Sequence, residues 1–233
     1  MKLAIMQPYL FPYLGYFQLI NSVDLFMVYD DVQYIKGGWI NRNRILLNGL
    51  AHMFAFPVKK GPLSYQIRER YFAEDFNLIA KRFLKTLEVA YRGAPGYSET
   101  VQLITDILAS DDLNIASFIS RSLRIICDYL SIETRFILSS EIDKDPLLKG
   151  QDRVIEINRL LGSTHYMNPI GGMELYSKEA FQKAGIELSF LRMRPLIYKQ
   201  FNNEFVPDLS IIDVMMFNLR EKIRELLGEY DLL

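Results

Sequence analysis

Apolar and polar positions follow three regimes along the chain. Residues 1 to about 70 are strand-rich. An apolar run at 3–6 predicts a strand and stops in Gln7-Pro8-Tyr9-Leu10-Phe11-Pro12-Tyr13-Leu14-Gly15-Tyr16, a turn rich in Pro, Gly and Tyr. Phe17, Leu19, Ile20 and Val23 then recur at helical spacing, and 25–29 predicts a second strand, which completes a βαβ unit. Apolar runs at 44–47 and 52–58 flank Asn48-Gly49, a hairpin signal because both turn residues accept positive φ. From about 74 to 130 the period becomes helical. Phe76, Ile79, Ala80, Phe83, Leu84, Leu87 and Ala90 form one stripe, 99–108 a second and 114–130 a third. The last regime alternates again. Strands are predicted at 134–138, 164–168 and 186–191, and helices at 151–161 and 178–184, with Gly162 and Gly185 as their stops. A further helix, capped by Asp208 or Ser210, covers 208–218.

This order predicts an α/β fold: a Rossmann-like, mainly parallel sheet with a helical subdomain and a β-hairpin excursion. One domain spans 1–233, with 1–70 and 131–233 forming the sheet and 74–130 the helical subdomain.

Composition narrows the function classes. Half of the 233 residues are hydrophobic, enough for a substantial core. A net charge of −1 carries no basic excess for a nucleic-acid partner. No apolar stretch approaches the ~18 residues of a membrane span. The apolar residues after Lys2 are interrupted by Gln7, Pro8, Pro12 and Gly15 and lead to no small-residue cleavage site, so they do not read as a signal peptide. A cytoplasmic protein is expected. The single Cys127 excludes an internal disulfide and a Cys-based zinc site, and lies in a helical pattern as a core residue. Only His52 and His165 are present, which poorly supports transition-metal ligation.

Candidate chemistry gathers at three predicted strand ends, where open α/β sheets bind ligands. After the second strand come Asp30, Asp31, Gln33, Lys36, Trp39, Asn41, Arg42 and Asn43. Asp30 can take a proton from an amine, bind a ribose hydroxyl or hold Mg²⁺; solvation of a strand end is the plainer alternative. Neighbouring strand side chains point to opposite faces, so Asp30 and Asp31 do not form an acid–base pair. Arg42 and Lys36 suit phosphate, Gln33, Asn41 and Asn43 suit sugar hydroxyls, and Trp39 offers a ring for stacking or a plug under a loop. The second group is His165, Asn168, Gly171 and Gly172. The glycines allow close backbone approach to an anion, and His165 is either a general base or a hydrogen-bonded structural residue. The third group follows the last strand: Arg192, Arg194, Tyr198, Lys199 and Gln200, with Lys199 a phosphate candidate. Asp213 sits in an apolar helix, where a carboxylate needs partners.

Five blocks resemble the WbqC-like family: residues 7–17, Tyr29-Asp30-Asp31-Val32-Gln33-Tyr34, residues 38–45, Tyr166-Met167-Asn168-Pro169-Ile170-Gly171-Gly172, and Leu209-Ser210-Ile211-Ile212-Asp213. The resemblance spans nearly the whole chain. It implies bacterial surface-polysaccharide synthesis of the O-antigen type. A more distant likeness places Tyr13-Leu14-Gly15-Tyr16 where nucleotidyltransferases carry His-x-Gly-His, with both histidines replaced by tyrosine, which has no positive charge to offer a phosphate. The expected protein is an enzyme acting on a nucleotide-linked sugar, with acyl or aminoacyl transfer to a sugar amine as the reaction. Its cofactor is unknown, with a nucleotide or Mg²⁺ as candidates. Asp30 and His165 are then the catalytic candidates, and Gln7, Tyr13, Tyr16, Gln33, Lys36, Trp39, Asn41, Arg42, Asn43, Asn168, Gly171, Gly172 and Lys199 the substrate-binding ones. The alternative is a non-catalytic nucleotide-sugar-binding or assembly protein.

Overall fold

The computed structural model describes residues 1–233. Strands β1 (Lys2–Met6), β2 (Leu25–Val28), β5 (Arg135–Leu138), β6 (His165–Pro169) and β7 (Glu187–Met193) form a parallel sheet in the order β5-β2-β1-β6-β7, and β8 (Tyr230–Leu232) adds an antiparallel edge. The five predicted strands therefore share one sheet. β3 (Arg42–Leu47) and β4 (Leu50–Ala55) form the separate hairpin, with Asn48 and Gly49 at φ 53° and 75° in its turn.

Period-2 alternation assigns the two faces. Leu3, Ile5, Leu25, Met27, Tyr166, Leu188 and Phe190 point to one side and pack under α5 (Gly150–Leu160) and α6 (Lys178–Lys183), mainly on Val154, Ile157 and Phe181. Ala4, Phe26, Val28 and Met167 point to the other, into a core of 47 buried residues. That core joins α1 (Leu14–Asn21), the hairpin, α2 (Phe76–Tyr91), α3 (Tyr97–Leu108), α4 (Ile115–Leu130), α7 (Ile211–Phe217) and α8 (Arg220–Leu226). The hairpin and α2–α4 enter between β2 and β5 and share their core with a sheet face. An aromatic seam runs through them: Phe54, Phe56, Phe72, Phe76, Phe83 and Phe118 meet with ring centroids 4.5–5.5 Å apart at the closest pairs.

Side chains cap the starts of α4 and α7. Asn114 caps α4 by accepting from Ser117 N–H, and Ser210, rather than Asp208, caps α7 by accepting from Ile212 N–H. α8 and β8 carry no signal strong enough to be expected. They are a seven-residue helix and a three-residue edge strand, too short for a period to show. Asp213, fully buried on α7, has its partners: Tyr198 and Gln200 donate to Oδ1 at 2.7 Å, and Tyr91 to Oδ2 at 2.8 Å. Burial raises its pKa despite those three donors. The carboxylate ties α2, α7 and the segment after β7 together.

Candidate functional site

Strand order reverses between β1 and β6, so the loops leaving these two strands diverge and open a crevice at their carboxyl ends. A cavity of about 640 Å³ lies there. Gln7, Tyr13 and Gly15 line it from the β1 side, Tyr29 from β2, Asn168, Gly171, Gly172 and Tyr176 from β6, and Arg192 from β7.

The β1 wall is held by unusual backbone. Phe11 adopts φ 47°, a left-handed conformation costly for a bulky residue. Its carbonyl accepts from Asn43 Nδ2 at 2.6 Å and from Ser210 Oγ at 2.7 Å, while Ile211 N–H donates to Pro12 O at 2.7 Å. The turn is thus clamped from β3 and from the α7 cap. The buried Tyr16 hydroxyl donates to Gln7 O at 2.8 Å, fixing the other end. Tyr13 is presented to the cleft, its ring lying over Gly15, where an added Cβ would come within 2.5 Å of it.

The β6 wall depends on Gly172. A Cβ there would approach Asn168 Oδ1 to 2.0 Å. Asn168 donates in turn to the buried Tyr166 hydroxyl at 2.8 Å, and Tyr166 stacks on Phe181. Gly172→Ala should expel the Asn168 side chain and lower stability by about 1–2 kcal/mol; thermal unfolding of the variant within a degree of the parent would show that the contact is soft. Burial pushes the Tyr13, Tyr29 and Tyr176 hydroxyls above their ordinary range, so all three stay protonated at neutral pH as hydrogen-bond donors.

Beside the cleft, a more apolar cavity of about 340 Å³ shares Tyr13 and Met193 with it and is walled by Leu14, Pro195, Leu196, Phe205 and Pro207.

The expected site residues divide. Gln7, Tyr13, Asn168, Gly171 and Gly172 meet in the cleft. Lys36, Asn41 and Arg42 line a different cavity under the hairpin. Trp39 is outside that lining, with the Arg42 and Arg44 guanidiniums 5.3 and 5.8 Å from its ring and Tyr9 at 6.2 Å. Gln33 donates to Leu63 O, and Asn43 and Tyr16 hold the β1 turn. Lys199 lies in a fourth cavity with Phe201 and Phe217.

Both catalytic candidates stand outside the cleft lining. Asp30 accepts from the Ser140 amide at 2.9 Å and the Ser140 hydroxyl at 2.6 Å, tying the end of β2 to the loop after β5. His165 opens β6, whose other end reaches the cleft; Nε2 lies 2.9 Å from Ser189 Oγ, and burial lowers its pKa despite Glu187 at 3.8 Å. Asp31 Oδ2 receives Lys144 at 2.6 Å and Arg153 at 2.8 Å. No group of three or more His, Cys, Asp or Glu side chains is placed to hold a metal ion. Tyr29 and Tyr176 line the cleft without having been singled out. Tyr29 reads from sequence as the end of a strand, and Tyr176 lies in a stretch without period.

The model of the WbqC-like protein family matches residues 7–225. The chain is 32% identical over 222 residues to the uncharacterized protein Rv1507c of Mycobacterium tuberculosis, covering 94% of each chain. No solved structure matches. No helix is long and apolar enough to cross a membrane.

Proposed function

The chain belongs to the WbqC-like family, and from that premise we propose that it binds a nucleotide-linked sugar in the β1–β6 cleft during cytoplasmic surface-polysaccharide synthesis. The observation that carries this reading is the convergence of Gln7, Tyr13, Tyr29, Asn168 and the Gly171-Gly172 turn at the reversal of strand order. The order β5-β2-β1-β6-β7 supports the Rossmann-like reading, in which this crevice is the ligand site. Tyrosine rings give apolar surface for a sugar face and hydroxyl donors for its oxygens. The Gly171-Gly172 backbone and Arg192 suit an anionic group. The adjoining apolar cavity suits an acyl group, which favours acyl or aminoacyl transfer to a sugar amine as the reaction.

One observation favours the non-catalytic reading. The cleft lining holds no carboxylate and no imidazole, and its three tyrosines keep their protons at neutral pH. A sugar amine would then lose its proton to solvent, to the second substrate or to Asp208 in the lining of the adjoining cavity.

Calorimetry with a panel of UDP- and dTDP-linked sugars tests the binding. At least one equivalent of a nucleotide-linked sugar should bind. Tyr13→Ala should weaken it about tenfold, the equivalent of ~1.4 kcal/mol for one lost contact surface and hydroxyl. Absence of binding across the panel at millimolar concentration would overturn the reading. Mass spectrometry of amino-sugar nucleotides incubated with acyl donors separates the two readings: an acyl mass increment means transfer, and bound but unchanged sugar means a binding protein.

A further inference from the structure

The cavity under the hairpin, about 530 Å³, is lined by 12 residues that include Lys36, Arg42, Lys60 and Arg70 and no acidic residue. The four cations come from four places: the loop before β3, β3 itself, the loop after β4, and the end of a 3-10 turn. None of them belongs to any ion pair of the protein.

The hydrogen bonds of the two arginines go to backbone carbonyls alone. Arg42 donates to Gly37 O. Arg70 donates to Pro62 O at 3.3 Å and Lys59 O at 3.1 Å, and its guanidinium lies 4.9 Å from the Tyr34 ring. Room for it is left by Gly61, where a Cβ would come within 2.7 Å of Arg70 Nη1. Both side chains are half-buried, and the Nε of each is buried without a partner. Carbonyl oxygens orient a guanidinium but do not neutralise it. Two half-buried guanidiniums and two ammoniums around one concavity repel each other and await a counter-ion. Planar arginines match phosphate oxygens in pairs, and lysines add point charge.

We propose that this cavity binds the diphosphate or phosphate group of a small anionic molecule, at a site separate from the β1–β6 cleft. The proposal does not rest on the nucleotide-sugar reading of that cleft. Lys60 and Arg70 join Lys36 and Arg42 here although they lie in loops without period, and Asn41 completes the wall while held by Tyr34 Oη at 3.0 Å and by Phe56 O at 2.7 Å.

Calorimetry on the full chain with inorganic phosphate, pyrophosphate and UDP tests it. Pyrophosphate should bind with one-to-one stoichiometry, at least tenfold tighter than phosphate, and weaken as salt is raised. Arg42→Gln and Arg70→Gln should each weaken pyrophosphate at least tenfold. Lys85→Gln, on the exposed side of α2, should leave it unchanged. Lys36→Gln and Lys60→Gln change exposed side chains without touching the core, and decide the matter if either arginine variant fails to fold. UDP binding tighter than pyrophosphate assigns a nucleotide to the site; equal affinity assigns the diphosphate alone. Tyr13→Ala should leave pyrophosphate binding intact, which separates this cavity from the cleft. No pyrophosphate binding at millimolar concentration, or binding indifferent to all four cation variants, would overturn the proposal.

Discussion

Asp31→Asn should cost about 3 kcal/mol at pH 7, the low end of what breaking a buried ion pair costs. Its carboxylate and the Lys144 ammonium are 8% and 5% exposed, and Arg153 shares the same oxygen. With the charge gone, Lys144 keeps only the carbonyls of Ser139 and Ile142, while Arg153 retains the Tyr29 ring and partial contact with water. Those residual contacts place the cost at the low end. Burial alone would raise the Asp31 pKa; the Lys144 ammonium 2.6 Å from Oδ2 and the charge of Arg153 outweigh it and bring the group below its ordinary value. A carboxyl depressed in the folded state contributes stability above its unfolded value of about 4 and loses it as pH falls through the folded value. The gap between wild type and Asp31→Asn should therefore be widest at neutral pH and narrow below pH ~4. Urea unfolding of both proteins from pH 7 to pH 2.5 measures it. A gap that stays constant with pH would show that the loss is one of packing rather than charge.

Gly96→Ala should be at least as damaging, about 3–4 kcal/mol, for a different reason. Gly96 has an ordinary φ of −92°, so its backbone does not require glycine. Space does. A Cβ would sit 2.1 Å from Met215 O and 3.2 Å from Met216 O, and neither is the movable end of a side chain. The start of α3 would have to lift off the end of α7, weakening the Gly96 N–H to Met216 O hydrogen bond of 2.9 Å. Gly93 three residues earlier is the control. It holds φ +96° with nothing within 4 Å of a Cβ, so alanine there costs only backbone strain of about 1 kcal/mol. Equal midpoints for the two variants in chemical denaturation would refute the steric argument.

The sheet was legible in the sequence because each of its five parallel strands is a short apolar run set off by turn residues, and the hairpin because Asn-Gly dictates its turn. The site was legible only in part. Period places a residue on an element but not at one end of it. His165 and Asn168 are three positions apart in sequence, yet on a five-residue strand that separation carries one to the amino edge and the other to the cleft. Asn43 and Tyr16 have polar side chains in diagnostic blocks and look like ligand contacts. Their partners are the backbone carbonyls of Phe11 and Gln7, which no spacing rule announces. Lys60 and Arg70 lie in aperiodic loops, and only the fold brings them beside Arg42. Asp213 was legible as a question, a carboxylate inside an apolar helix, whose answer lies 122 residues away in Tyr91.

The strand order also sets a clock. β1 occupies the middle of the sheet and is the first strand made, but one of its two neighbours, β6, begins only at residue 165. At about 5–20 residues per second on a ribosome, that edge of β1 stays bare for roughly 10–30 s. The wait is longer still for α1, whose fully buried Gln18 donates to the carbonyls of Leu226 and Glu229 at 2.8 and 3.0 Å. A nascent chain of this protein thus displays an apolar, half-paired strand through most of its synthesis, the kind of surface that chaperones hold and neighbouring chains aggregate on.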